Sequence, residues 1–115
     1  MEIGMIGLGR MGGNMVQRLL GGGHHVVAYD PRAEAVEAVA RQGADGASSI
    51  SDLAGRLSRP RAAWVMVPAG EPTEGTINEL ANEFSHGDVI IDGGNSYYKD
   101  SVRRASALGE RGLHF

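Results

Sequence analysis

Three glycines spaced as G-x-G-x-x-G, Gly7, Gly9 and Gly12, follow directly on the apolar run at residues 1–6. A carboxylate, Asp30, stands 18 residues beyond the last of them. Those types at that spacing suit the binding of a dinucleotide. The first glycine makes a tight turn off a strand, the second lets the backbone approach a pyrophosphate, and the third lets a helix pack closely on the strand. Leu8, Arg10 and Met11 complete the loop, and the N–H groups of a helix starting at Arg10 would meet the phosphates with the positive end of its dipole. Asp30 is placed to accept hydrogen bonds from the hydroxyls of an adenosine ribose. A carboxylate there repels a 2′-phosphate, so NAD is favoured over NADP. Arg32 leaves NADP open as an alternative, because a guanidinium two residues on could pair with that phosphate. A ligand-free strand–helix turn would use the same glycines, and an Asp-Pro pair favours a turn in any case.

Two further loops carry candidate groups. Val67, Pro68, Ala69 and Gly70 form a stiff, small segment that could lie beside a ribose or a nicotinamide, or could be a plain connection. In the segment Asp92, Gly93, Gly94, Asn95 and Ser96, the glycines admit a ligand close to the backbone, and Asn95 offers both donors and an acceptor to a cofactor and a substrate. Asn95 or Ser96 capping a following helix is the competing reading. Tyr97 and Tyr98 could line such a cleft or simply cover the sheet, while Arg103 and Arg104 suit a solvated helix face. His24, His25, His86 and His114 have no partner at ligand spacing, so no metal site is expected. No Ser-His-Asp set is evident and no lysine stands where it would serve as a base. The chemistry legible here is a cofactor site without catalytic residues.

The elements that must position these groups alternate in type. Strands are expected at residues 1–6, 25–29, 62–67 and 89–92, with a weak one at 44–47 and a last one starting at 113–115. Helices are expected at 10–20, 32–41, 73–84 and 99–111, with a short one capped by Ser51 and ending near Leu57. The run at 62–67 (AAWVMV) is apolar throughout, as a strand covered on both faces should be, which puts Trp64 and Met66 in the core. This order implies an α/β fold, a doubly wound parallel sheet of the Rossmann type. Because the sequence stops as a strand begins, the expectation is one nucleotide-binding domain over 1–115, truncated at its C-terminal end.

Composition narrows the class. The chain has 115 residues, 42% hydrophobic and 22% charged, with a net charge of −3 and 18 glycines that do not form a low-complexity run. Basic residues are dispersed, so no nucleic-acid footprint is expected. No apolar span reaches membrane length and no signal segment precedes the first strand, which points to a cytoplasmic protein without a membrane partner. With no cysteine, disulfides and thiolate chemistry are excluded.

Taken together, MIGLGRMGGNMVQRL, VVAYD, WVMVPAG and above all VIIDGGNSYYKDSVRRA resemble the N-terminal part of the decarboxylating 6-phosphogluconate dehydrogenases, a branch of the β-hydroxyacid dehydrogenases. The Asp30 strand end and Val67-Pro68-Ala69-Gly70 are similar to the NAD-preferring members; NADP-using members carry Asn-Arg-Thr and a lysine at those places. The resemblance implies hydride transfer from a sugar-acid phosphate, loss of CO2 and formation of ribulose 5-phosphate, in the pentose phosphate pathway. It implies that Gly7 to Gly12 and Asp30 hold the cofactor, that Val67 to Gly70 touches its nicotinamide side, and that Asn95 lies between cofactor and substrate. It further implies a catalytic lysine and glutamate beyond Phe115 and a helical domain for substrate binding and dimerisation, both absent from this chain. A parent homodimer or homotetramer is expected, with this chain alone inactive and self-associating through its cut edge. The rival readings are a 3-hydroxyisobutyrate type of dehydrogenase, whose strand end is usually Ile-Asp-x-Ser or Thr, and a non-catalytic nucleotide-binding module.

Overall fold

Consecutive strand residues send their side chains to opposite faces, and here both faces are apolar. In the computed structural model, which describes residues 2–66, 71–85, 87–93 and 109, the sheet is therefore covered on both sides. Strand β1 (Glu2–Ile6) leads to helix α1 (Arg10–Gly21), then β2 (His25–Tyr29), α2 (Ala33–Ala40), the short β3 (Asp45–Gly46), α3 (Ile50–Arg56), β4 (Ala62–Val65), α4 (Glu71–Glu83) and β5 (Val89–Asp92). All neighbouring strands are parallel, in the order β3-β2-β1-β4-β5.

Alternation divides the core in two. Ile3, Met5, Val26 and Ala28 meet Val16 of α1 and Val39 of α2 on one face, where Trp64 and Met66 also pack. Ile6, Val27, Ala63, Val65 and Ile90 meet Leu53 of α3 and Ile77 and Leu80 of α4 on the other. The doubly wound sheet expected from the sequence is thus formed, and its strand order reverses between β1 and β4.

Three boundaries differ from expectation by two residues. Strand β4 ends at Val65, short of the expected 67, although the Met66 N–H still bonds to Ile6 O. The cap of α3 is Ser49, whose hydroxyl accepts the Asp52 N–H at 2.9 Å, and not Ser51. Starting at Ile50 puts Ile50, Leu53, Ala54 and Leu57 on one buried face, whereas a cap at Ser51 would leave Ile50 ahead of the helix and outside the stripe. Helix α4 begins at Glu71, two residues ahead of the expected 73; Pro72 is compatible with a first turn, where its missing N–H has no helical acceptor to lose. The expected helix at 99–111 and strand at 113–115 lie outside the described residues, Gly109 apart.

At the N-terminal edge of the sheet, Arg61 and Asp88 each stand one residue ahead of adjacent strands and form a buried ion pair, Nε to Oδ2 at 2.9 Å. Asp88 also accepts the N–H groups of Arg61 and Ser85, both at 2.7 Å. The guanidinium donates to the carbonyls of Ala54 (3.3 Å) and Glu83 (2.9 Å), closing the C-terminal ends of α3 and α4, and lies 4.9 Å from the centre of the Phe84 ring. One side chain therefore ties two helices to two strands.

Candidate functional site

Strand register brings the candidate residues to one edge. Ile6 is level with Tyr29 and with Val65, and Val65 with Asp92. The first residues past those ends remain in the ladder: Gly7 N–H donates to Tyr29 O at 3.0 Å, Met66 N–H to Ile6 O at 2.7 Å, and Gly93 N–H to Val65 O at 3.0 Å. Gly7, Asp30, Met66 and Gly93 thus leave the sheet side by side at its C-terminal edge, where the strand order switches. In open α/β sheets this is the place where ligands bind.

The glycine loop has the shape its sequence calls for. Gly7 has φ 97°, a conformation L side chains rarely adopt. Gly12 lies so close to β1 that a Cβ there would collide with the carbonyl oxygen of Gly7 and come within 3.0 Å of its carbonyl carbon. Gly9 differs: it faces open space, with nothing within 4 Å of a built Cβ, and its φ of −65° suits any residue. Packing and backbone geometry account for Gly7 and Gly12, but nothing in the described protein requires glycine at position 9.

Gly9 is also the N-cap of α1 and brings no side chain to cap it. The first helical bond, Gly13 N–H to Gly9 O, is 2.8 Å. No acidic residue occupies the first turn, and Arg10 adds a positive charge where the helix dipole is already positive. Arg10 and Met11 are exposed, Met11 at 67%. An anion at this end would meet unsatisfied N–H groups, a favourable dipole and a cation.

Asp30 is buried beside the loop, with 7% of its surface exposed. Its Oδ2 accepts the Leu8 N–H at 2.8 Å, which ties the glycine loop to the end of β2. Oδ1 accepts the Arg32 N–H at 2.8 Å and Nε at 3.1 Å, while Nη2 approaches Oδ2 at 3.5 Å. Burial works against the carboxylate charge, but the hydrogen bonds from the Arg32 guanidinium and the Leu8 and Arg32 N–H groups outweigh it, and the carboxyl is held below the ordinary range. The Asp-Pro turn and the carboxylate at the strand end are one structure: the Arg32 N–H bond is the turn.

Gly7, Leu8, Gly9, Arg10, Met11, Gly12, Asp30 and Arg32 are therefore gathered around the β1–α1 and β2–α2 junctions. Val67, Pro68, Ala69 and Asn95 lie outside the described residues, although the chain enters their segments from Met66 and Gly93 at the same edge. Among the described residues no group of three or more His, Asp or Glu could hold a metal ion, and no helix is long and apolar enough to cross a membrane. The Leu8 N–H bond to Asp30 escaped the sequence reading, since a backbone donor leaves no residue-type signal. The Arg61–Asp88 pair escaped it too, though opposite charges one residue ahead of two apolar runs were a visible cue.

The family model describing the NAD binding domain of 6-phosphogluconate dehydrogenase matches residues 2–115. The NAD(+)-dependent, decarboxylating 6-phosphogluconate dehydrogenase of Haloferax volcanii is 50% identical over 93% of the chain, and the decarboxylating enzyme of Haemophilus ducreyi is 43% identical over 99%. The chain spans 36% and 25% of the lengths of those relatives. Among solved structures, the Plasmodium falciparum 6-phosphogluconate dehydrogenase, studied with its cofactor NADP+ and its substrate 6-phosphogluconate, superposes with a TM-score of 0.91 at 28% identity, over 99% of this chain and 26% of that one. Mycobacterium tuberculosis 3-hydroxyisobutyrate dehydrogenase shares the fold (TM-score 0.89, 23% identity, over 98% of this chain and 38% of that one). A glycine loop and carboxylate at the switch point of a parallel sheet, with a family match along the chain, lead to one conclusion: this chain belongs to the family of NAD-binding domains of 6-phosphogluconate dehydrogenase.

Proposed function

We propose that the chain supplies the cofactor half of an oxidoreductase that converts 6-phosphogluconate to ribulose 5-phosphate and CO2 with NAD as hydride acceptor. The observation that carries the cofactor part is the uncapped, acid-free start of α1 behind a glycine with no packing reason to be glycine. Gly7 to Gly12 would cradle the pyrophosphate, Asp30 would accept the ribose hydroxyls, and Val67, Pro68, Ala69 and Asn95 would continue the site toward the nicotinamide and substrate. NAD is favoured because a buried carboxylate with a lowered pKa stays charged at neutral pH and repels a 2′-phosphate.

When bound, the nicotinamide accepts the hydride; the residues of this chain bind, orient and screen it. No proton transfer is assigned to any residue of the chain. The substrate part of the proposal draws on the relatives' names and on the Asp92-Gly93-Gly94-Asn95-Ser96 segment. Its test is an assay of the protein carrying this chain for reduction of NAD with 6-phosphogluconate and, separately, with 3-hydroxyisobutyrate. Reduction with the sugar acid phosphate and release of CO2 are expected. Reduction with 3-hydroxyisobutyrate alone would transfer the chain to the rival branch.

A further inference from the structure

Alternation along β4 and β5 puts Ala62, Trp64 and Met66 on the α1 face of the sheet, beside Val89, Ile91 and, one step past the strand, Gly93. At Gly93 that row lacks a side chain, and the indole of Trp64 fills the gap. A Cβ built there would collide with Trp64 Nε1 and lie 2.7 Å from its Cδ1 and 2.5 Å from Met66 Sδ. The φ of Gly93 is outside the left-handed region, so these contacts, and not its backbone conformation, exclude a side chain. The Trp64 Nε1–H is itself buried and has no acceptor among the described residues. An unpaired buried donor is a net cost, so the indole edge is held against Gly93 by its shape and not by a hydrogen bond. On its other side Met66 adjoins the glycine loop, its Cβ 3.7 Å from a Cβ built on Gly12.

We infer that Trp64 is a positioning residue for the substrate side of the site: its indole, seated where Gly93 has no side chain, fixes the point at which the chain leaves β5 toward Asn95. This rests on the proposed reading that Asn95 serves substrate, two residues beyond Gly93 in the sequence. Gly93 is then glycine for the sake of Trp64 and not for the approach of a ligand. The rigid, flat indole sets the height of the Gly93 backbone over the sheet, and a smaller or more flexible side chain at position 64 leaves that height undetermined. The cofactor's phosphate end is built from β1, α1 and β2, so a change at Trp64 should reach substrate turnover and spare NAD binding.

The test is a double-mutant cycle in the protein carrying this chain, with Gly93→Ala, Trp64→Leu and both together. Each variant is assayed for kcat and KM with 6-phosphogluconate, titrated with NAD by calorimetry, and melted. Leucine has no atom as far out as Nε1, so it makes room for the new methyl group. Gly93→Ala should lower kcat/KM about a hundredfold, the scale of a displacement of about 1 Å at a positioned group, and Trp64→Leu about tenfold. The double variant should be no worse than Trp64→Leu, and NAD affinity should stay within about twofold throughout. Should Gly93→Ala fail to fold, recovery of a folded protein on adding Trp64→Leu is the same rescue, and Trp64→Leu alone still carries the kinetic prediction. Equal harm from Gly93→Ala in both backgrounds overturns the inference, because Gly93 would then serve a ligand directly. Unchanged kcat/KM in Trp64→Leu overturns it too, as does a joint fall of turnover, NAD affinity and melting temperature, which marks a purely structural tryptophan. If the unaltered protein does not reduce NAD with 6-phosphogluconate, the proposed function falls and this inference with it; if it does and the cycle shows no rescue, only the inference falls.

Discussion

Gly12→Ala is expected to abolish NAD binding and to cost much of the fold's stability at once. Its methyl group would collide with the Gly7 carbonyl oxygen, and neither partner is a flexible side chain. Helix α1 must then move off β1, which breaks the packing of Val16 against the sheet and displaces the N–H groups aimed at the site. Overpacking against backbone costs about 3 kcal/mol, equivalent to a fall of roughly 10–15 °C in melting temperature for a domain of this size. Circular dichroism melts and an NAD titration check it together. A variant that melts within about 2 °C of the parent would show that the close approach of α1 to β1 is not as described.

The second large effect lies at the opposite edge of the sheet. Asp88→Ala leaves the Arg61 guanidinium buried without its counter-charge and strips the acceptor from two backbone N–H groups. Breaking a buried pair in this way costs about 3–5 kcal/mol, against a total stability of about 5–15 kcal/mol. Arg61→Met in the same background should recover much of the loss, because the orphaned charge goes with it. Urea unfolding of the two single variants and the double variant measures the coupling; additive losses would contradict the account. The pair also sets an acid limit. Burial opposes the charge of Asp88, but hydrogen bonds from Ser85 and Arg61 more than compensate, and its pKa lies below the ordinary value. A depressed carboxylate contributes stability that is complete above about pH 4, the unfolded-state value, and is lost as pH falls through the lower folded-state value. Asp30 acts in the same direction, so stability should decline in acid below that point and less steeply in Asp88→Asn.

The sheet was legible because its strands are short apolar runs closed by turn residues. His25–Tyr29 and Val89–Asp92 fall at their expected bounds for that reason. Helix starts were less legible: three serines at 48, 49 and 51 can all cap a helix, and only the burial of Ile50 chooses Ser49. In the candidate site, residue types and spacing were enough to single out Gly7, Gly9, Gly12 and Asp30. They could not show that Asp30 is already engaged by Leu8 and Arg32, since those bonds depend on β1 and β2 lying side by side in one register. Position in the motif did tell apart the three glycines: the first was expected to serve the turn, the third the helix packing and the second a ligand. In three dimensions Gly7 and Gly12 answer to backbone conformation and packing as expected, while Gly9 answers to neither.

Gly9 therefore offers the most direct test of the claim that this loop holds a dinucleotide. Alanine at position 9 meets nothing within 4 Å and needs no unusual backbone angle, so the fold should lose no more than about 1 kcal/mol, the scale of alanine replacing a favoured residue at an N-cap. A pyrophosphate lying against that backbone would collide with the new methyl group. Calorimetric titration of NAD into Gly9→Ala, beside the unaltered chain, should show binding to the chain and a loss of about tenfold or more in the variant. NAD binding of equal strength to both would contradict the account, because the cofactor would then have no need of the open space in front of Gly9.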